Sequence, residues 1–171
     1  MLKLLGVMGI SAGIAGSLQY WWNGKCRLLN FLEGYVELLS AGRRELTEEK
    51  RKTSDFFREY SSENRIIGEG TRYIAESIRL HTYGTGIEMW KECWDNHLTE
   101  EGIGRDVILE VNKTGKAFFG KNPEENEKLF RLYENRFRDL YEREEGRSKE
   151  QKKLVFPVGA LAGLMLIVIL I

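Results

Sequence analysis

The sequence predicts an all-α protein, a compact cytosolic helical bundle flanked by N- and C-terminal transmembrane helices. Three observations point there. The run Leu154 to Ile171 contains no ionisable side chain, and at about 1.5 Å of rise per residue it reaches roughly 27 Å, close to the ~30 Å of bilayer hydrocarbon. A second apolar run, Leu4 to Trp22, carries no charge after Lys3. Between them apolar residues recur three and four apart, with two prolines in the whole chain and no alternating Val/Ile/Thr runs, which argues against an extended sheet. The expected organisation is therefore a membrane helix over residues 1–22, a bundle over 23–141, a polar helical stalk over 142–153 and a second membrane helix over 154–171. The alternative for the last run is a buried helix of a soluble core. A helix apolar on every face needs a larger protein around it than the rest of this chain supplies.

The first run is the weaker of the two, since it contains Ser11, Ser17 and Gln19. Tyr20, Trp21 and Trp22 close it, where aromatic rings favour a membrane–water boundary. A cleaved signal peptide competes with this reading, given one Lys, an apolar middle and small residues from Ala12 to Ser17. The aromatics followed at once by Lys25 and Arg27 favour a retained helix. Small residues recur four apart in both runs, Gly9, Gly13 and Ser17 in the first and Gly159 and Gly163 in the second. Such faces let helices approach closely in lipid, although glycine is also simply common in membrane helices. Lys25 and Arg27 on one side, with Lys149, Lys152 and Lys153 on the other, form cationic collars around the middle region. The bias of cations toward the cytoplasm places residues from about 23 to 153 there, in a reducing compartment that suits unpaired Cys26 and Cys93.

The middle region reads as successive helices. Leu28, Leu32, Tyr35 and Leu39 mark the first, with Phe31, Val36 and Leu38 widening its stripe and Gly42 suggesting a stop. Residues 44–60 are more polar and read as a second helix with a narrow buried edge ending in Phe56, Phe57 and Tyr60. Ser61 to Gly70 reads as a loop. Ile74 and Ile78 mark a helix to about Tyr83, closed by Gly84-Thr85-Gly86; Trp90, Trp94 and Leu98 mark the next. Gly102 and Gly104 precede a helix carrying Val107, Val111 and Phe118, which Gly120 ends. The last helix has the clearest start: Asn122 to cap, Pro123 at the first position, then Glu124 and Glu125 at the positive end of the dipole. Phe130, Tyr133, Phe137 and Leu140 follow as a packing seam, and Glu142 to Lys153 is nearly all polar.

Charge balance excludes a nucleic-acid reading. The 26 Lys and Arg residues offset 26 Asp and Glu and are interleaved with them, not gathered into a basic stripe. No phosphate-cradling glycine loop or nucleophile elbow is present, so no cofactor or small-molecule substrate is expected. Cys93 and His97 stand one helical turn apart and would make half of a metal site. Neither His81 nor Cys26 has the spacing to complete it, and a packed thiol with a partly exposed imidazole is the simpler reading. Trp90 and Trp94 either fill the core or, if partly exposed, anchor a partner.

The beginning Met1-Leu-Lys-Leu-Leu-Gly6, the stretch Asp106-Val-Ile-Leu109, the stretch Gly115-Lys-Ala-Phe-Phe-Gly120 with its long charged helix, and the end Gly159-Ala-Leu-Ala-Gly163 onward resemble stage III sporulation protein AB in order and spacing. Trp90 lies where that family tends to have a tryptophan. The chain departs from the family between Lys25 and Tyr60, where the usual Arg-Pro and the Glu-Ile with its Pro-Leu turn are missing, and at Phe119-Gly120, where Leu-Gly is more usual. The resemblance implies a non-enzymatic membrane component of the channel apparatus between mother cell and forespore. It also implies a helical domain like that of the inner-membrane platform protein of type II secretion and type IV pilus systems. The implied partners are a cytoplasmic secretion-type ATPase and other membrane proteins. The implied location is the mother-cell side, at the outer forespore membrane.

Overall fold

The structure, a computed structural model, describes residues 2–81 and 84–170; most side chains of 2–18 and 154–170 lie outside the described residues. Six α-helices follow in order: α1 Leu2–Gly42, α2 Thr53–Glu59, α3 Arg65–Leu80, α4 Gly86–Glu100, α5 Arg105–Phe119 and α6 Pro123–Leu170, with a π-helical stretch Arg43–Glu48 after α1. The described residues contain no strand, so the fold is all-α. Among the described residues no helix is long and apolar enough to cross a membrane. The membrane helices expected over 1–22 and 154–171 fall largely on side chains outside that description. Two compact units result, one from residues 1–29 with 142–171 and one from residues 30–141.

The second unit is built around aromatic rings delivered by helical spacing. Phe31, Leu32, Tyr35, Leu38 and Leu39 of α1 are all buried, as the three-and-four pattern predicts. Trp94 of α4 meets Tyr35 edge-on at 5.7 Å and Phe31 at 6.3 Å. Trp90 stacks on Phe118 of α5 at 4.6 Å, and Phe118 meets Phe130 of α6 at 4.9 Å. Each such side chain contributes about 1.5–3 kcal/mol by leaving water, with a further ~0.5–1.5 for each well-oriented ring pair. Two glycines make the tryptophan layer possible. A β-carbon at Gly70 of α3 would stand 2.6 Å from Trp94 Cη2, and one at Gly115 of α5 would stand 2.8 Å from Trp90 Cδ1.

Two expectations need correction here. Residues 44–60 do not form one helix. After α1 the backbone widens, with Glu49 N–H donating to Arg44 O and Arg51 N–H to Glu45 O; Lys50 then takes a positive φ of 54°, and α2 is confined to seven residues. Gly42 is the last residue of α1, as expected, although the chain continues from it into the π-helical stretch. Its φ and ψ are helical at −58° and −44°, and it serves a close approach, because a β-carbon there would lie 2.7 Å from Phe118 Cε1. Ser61 to Gly70 is not a loop throughout, since α3 begins at Arg65. Asn64 starts it: Oδ1 accepts from Ile67 N–H at 3.2 Å while Nδ2 donates to Asn30 O of α1 at 2.6 Å. The helix ends at Leu80, with His81 in the left-handed region; the expected extension to Tyr83 falls on residues outside the description. Asn122 caps α6 as the sequence predicts, its Oδ1 accepting from Glu124 N–H at 3.1 Å.

In the first unit the polar stretch Glu142 to Lys153 is helical and has α1 beside it. Lys25 Nζ pairs with Glu144 Oε2 at 3.2 Å. Lys152 Nζ sits 4.9 Å from the centre of the Trp22 ring, and Ser148 is buried.

Candidate partner interface

Trp90 and Trp94, candidates for a partner surface, are both wholly buried at 0 % exposure. That role is withdrawn. The helical spacing that makes them neighbours also turns both rings into the core, where Trp90 Nε1 donates to Val111 O at 3.0 Å. Cys93 and His97 each turn to α3. The Cys93 thiol lies 3.6 Å from Ser77 Oγ, and burial raises its pKa and keeps it protonated. His97 Nε2 is bonded to Ile66 O at 2.8 Å. No group of three or more metal-ligating side chains gathers among the described residues.

Within the second unit the surface carries one feature that the sequence did not mark. A groove of ≈ 360 Å³ runs between the end of α1 and α6, lined by Val36, Glu37, Ser40, Ala41, Arg44, Glu134 and Arg138. Its floor is made of small side chains and its walls of charges. Glu134 is held from two sides, by Arg43 Nε at 3.4 Å and by Arg138 Nη2 at 3.1 Å. Arg43 is itself tied to Glu48 at 2.6 Å. Arg44 projects outward, with its nearest carboxylates, Glu45 and Glu49, each 3.9 Å away.

Arg43 and Arg44 open the π-helical stretch Arg43–Glu48, and such turns often accompany functional sites. Arg51 fixes the exit from the turn by bonding Glu45 at 2.6 Å and also Glu59, and its bond to Glu59 lowers that carboxyl's pKa. The groove holds no nucleophile paired with a base. Its chemistry is that of a recognition surface: a small-residue floor that admits an apolar side chain, with guanidinium and carboxylate groups at its rim. Charged residues are too frequent in this chain for Arg44, Glu134 and Arg138 to stand out by sequence, and the π turn has no sequence signature here.

The collars lie in the first unit. Besides the Lys25–Glu144 pair and the Trp22–Lys152 contact, Lys149 bonds Glu145 at 2.9 Å; Arg27 and Lys153 are exposed. Ser17 Oγ donates to Gly13 O at 2.9 Å, and no other group of the described residues comes within 4 Å of a β-carbon built at Gly13. Gly9, Gly159 and Gly163, the other expected packing residues, lie outside the described side chains.

Comparison with known proteins places these features in a family. The family profile of stage III sporulation protein AB matches residues 3–171. No curated protein and no solved structure matches the chain.

Proposed function

The chain belongs to the stage III sporulation protein AB family, and hence to the third stage of sporulation; from that premise we propose that it is a non-enzymatic integral-membrane scaffold. In this reading helices over 1–22 and 154–171 anchor it in the mother-cell membrane around the forespore. The domain of residues 30–141 faces the cytoplasm. It docks a secretion-type ATPase and other membrane components of the channel apparatus, the groove at Arg44 and Arg138 being the docking surface.

The observation that carries the membrane placement is the contact between Lys152 and Trp22. Trp22 closes one apolar run and Lys152 immediately precedes the other. Folding brings to one level two residue types that favour the membrane–water boundary, from opposite ends of the sequence. A spanning pair of helices requires such alignment, whereas a soluble bundle does not.

The test has two arms. A protease-sensitive reporter placed in residues 61–63, between α2 and α3, is expected to be protected from external protease, and one placed after Ile171 is expected to be cleaved. Cleavage of the first in intact cells rejects the placement. Membranes carrying the chain are expected to retain a secretion-type ATPase, and Arg44→Glu with Arg138→Glu should release it. Retention unaffected by that double variant rejects the groove as the dock, and no retention by the unaltered chain rejects docking.

A further inference from the structure

We propose that Lys149, Lys152 and Lys153 form a binding site for the phosphate of an anionic phospholipid, at the foot of the apolar run that Leu154 begins. The inference rests on the membrane placement proposed above and adds a selective ligand to it. With Pro157 the three lysines line a depression of ≈ 610 Å³. Positions 149, 152, 153 and 157 fall at i, i+3, i+4 and i+8, so one face of α6 carries them all.

The balance of charge around that face is positive. Glu145, on the same face, is bonded to Lys149. Among the described residues no carboxylate pairs with Lys152 or Lys153. Glu150 stands three residues before Lys153 and borders the same face, so the three lysines there outnumber two carboxylates, Glu145 and Glu150. The neighbouring segment of α1, residues 19–29, contains no acidic residue and brings Lys25 and Arg27. Glu144, which lies near it, is taken by Lys25 at 3.2 Å and by Arg147 at 3.0 Å. Three ammonium groups within five residues repel one another, and an anion between them relieves that repulsion.

The apolar side of the depression selects the source of the anion. Pro157 is exposed and is followed by a run without an ionisable side chain. A phosphate esterified to acyl chains satisfies both halves, with the headgroup on the lysines and the chains along the run. The Trp22 ring, held against Lys152, belongs at the same depth.

The test uses the full chain in nanodiscs of mixed phosphatidylglycerol and phosphatidylcholine, with bound lipid counted by native mass spectrometry after release into detergent. Each lysine near an anionic headgroup is worth about a fivefold preference. With Lys149 shared with Glu145, Lys152 and Lys153 together would give about 25-fold; with Glu150 beside Lys153 offsetting part of this, an enrichment of about tenfold for phosphatidylglycerol is expected. It should vanish in K149Q/K152Q/K153Q, fall several-fold in K153Q alone, and persist in K121Q/K128Q, which alters cations of the other unit. Excess inorganic phosphate should leave it intact, and displacement of the lipid by phosphate alone would reduce the site to a general anion contact and overturn the proposal. Equal retention of the two lipids by a chain that stays in the disc overturns the lipid site and leaves the anchoring standing. A chain that leaves the disc for plain buffer overturns both.

Discussion

The Tyr35 hydroxyl and Thr114 Oγ1 lie 2.6 Å apart inside the core, joining α1 to α5. Thr114 Oγ1 also lies 2.7 Å from Val111 O. The threonine hydroxyl has one proton, so when it donates to Val111 O it accepts from Tyr35. This order makes the two residues unequal. Tyr35→Phe leaves Thr114 with its carbonyl partner and should destabilise the chain by about 1 kcal/mol. Thr114→Val strands a fully buried phenol and should lose about 1–3 kcal/mol. Thermal unfolding of the full chain in detergent, followed by circular dichroism, would rank them; the reverse order would refute the assigned donor.

Stability should also fall at alkaline pH through the same residue. Burial raises the Tyr35 pKa above its ordinary 10.0, against a smaller opposing effect of the Thr114 hydrogen bond. The folded state holds the proton more tightly than the unfolded chain. The resulting stability is complete below the unfolded pKa and is lost as pH rises past about 10, at up to ~1.4 kcal/mol per pH unit. Tyr60 and Tyr133 are shifted the same way by burial. Melting temperatures between pH 8 and 11 should therefore fall, and fall less steeply in Tyr35→Phe. An unchanged slope would exclude Tyr35 as the main source.

The two tryptophans make a second unequal pair. Trp90 Nε1 donates to Val111 O at 3.0 Å, while buried Trp94 Nε1 has no acceptor among the described residues. Trp→Phe removes similar volume at each site. At position 90 it also removes a hydrogen bond; at position 94 it removes an unsatisfied donor that costs about 1–3 kcal/mol to bury. Trp90→Phe should thus be the more damaging by at least about 1 kcal/mol in chemical unfolding. Equal losses would mean that the two indole N–H groups are in equivalent surroundings.

The α1 stripe from Phe31 to Leu39, the tryptophan helix, α5 and the Asn122-Pro123 start of α6 were all legible, because periodicity and capping are local properties of a sequence. The π turn was not, because it has no residue spacing of its own, and the close approach of Gly42 to Phe118 just before it joins residues far apart in the chain. The early start of α3 was hidden for a related reason. Arg65 to Gly70 includes two glycines and looks like a loop until Ile66 and Ile67 are seen to be buried. The groove was missed altogether, since its charges are ordinary one by one and become a surface only through the pairing of Arg43 and Arg138 with Glu134. The collars were legible as charges. Their alignment with Trp22 needed the fold.

Asn64 provides the sharpest test of how α3 is attached to α1. Its carbonyl oxygen caps the helix at Ile67 N–H and its amide donates to Asn30 O. Asn64→Ala loses both bonds and should cost about 1–2 kcal/mol. Asn64→Asp keeps the cap, which a carboxylate serves well at the positive end of a helix dipole. It nevertheless sets a second acceptor against the Asn30 carbonyl, in place of a donor 2.6 Å away. At neutral pH Asn64→Asp should therefore be less stable than the unaltered chain, despite being a good helix start. Its deficit should shrink as pH falls below about 4, where a protonated carboxyl can donate again. A variant as stable as the unaltered chain at pH 7 would show that the cap alone matters, and that the Asn30 carbonyl gains nothing from Asn64.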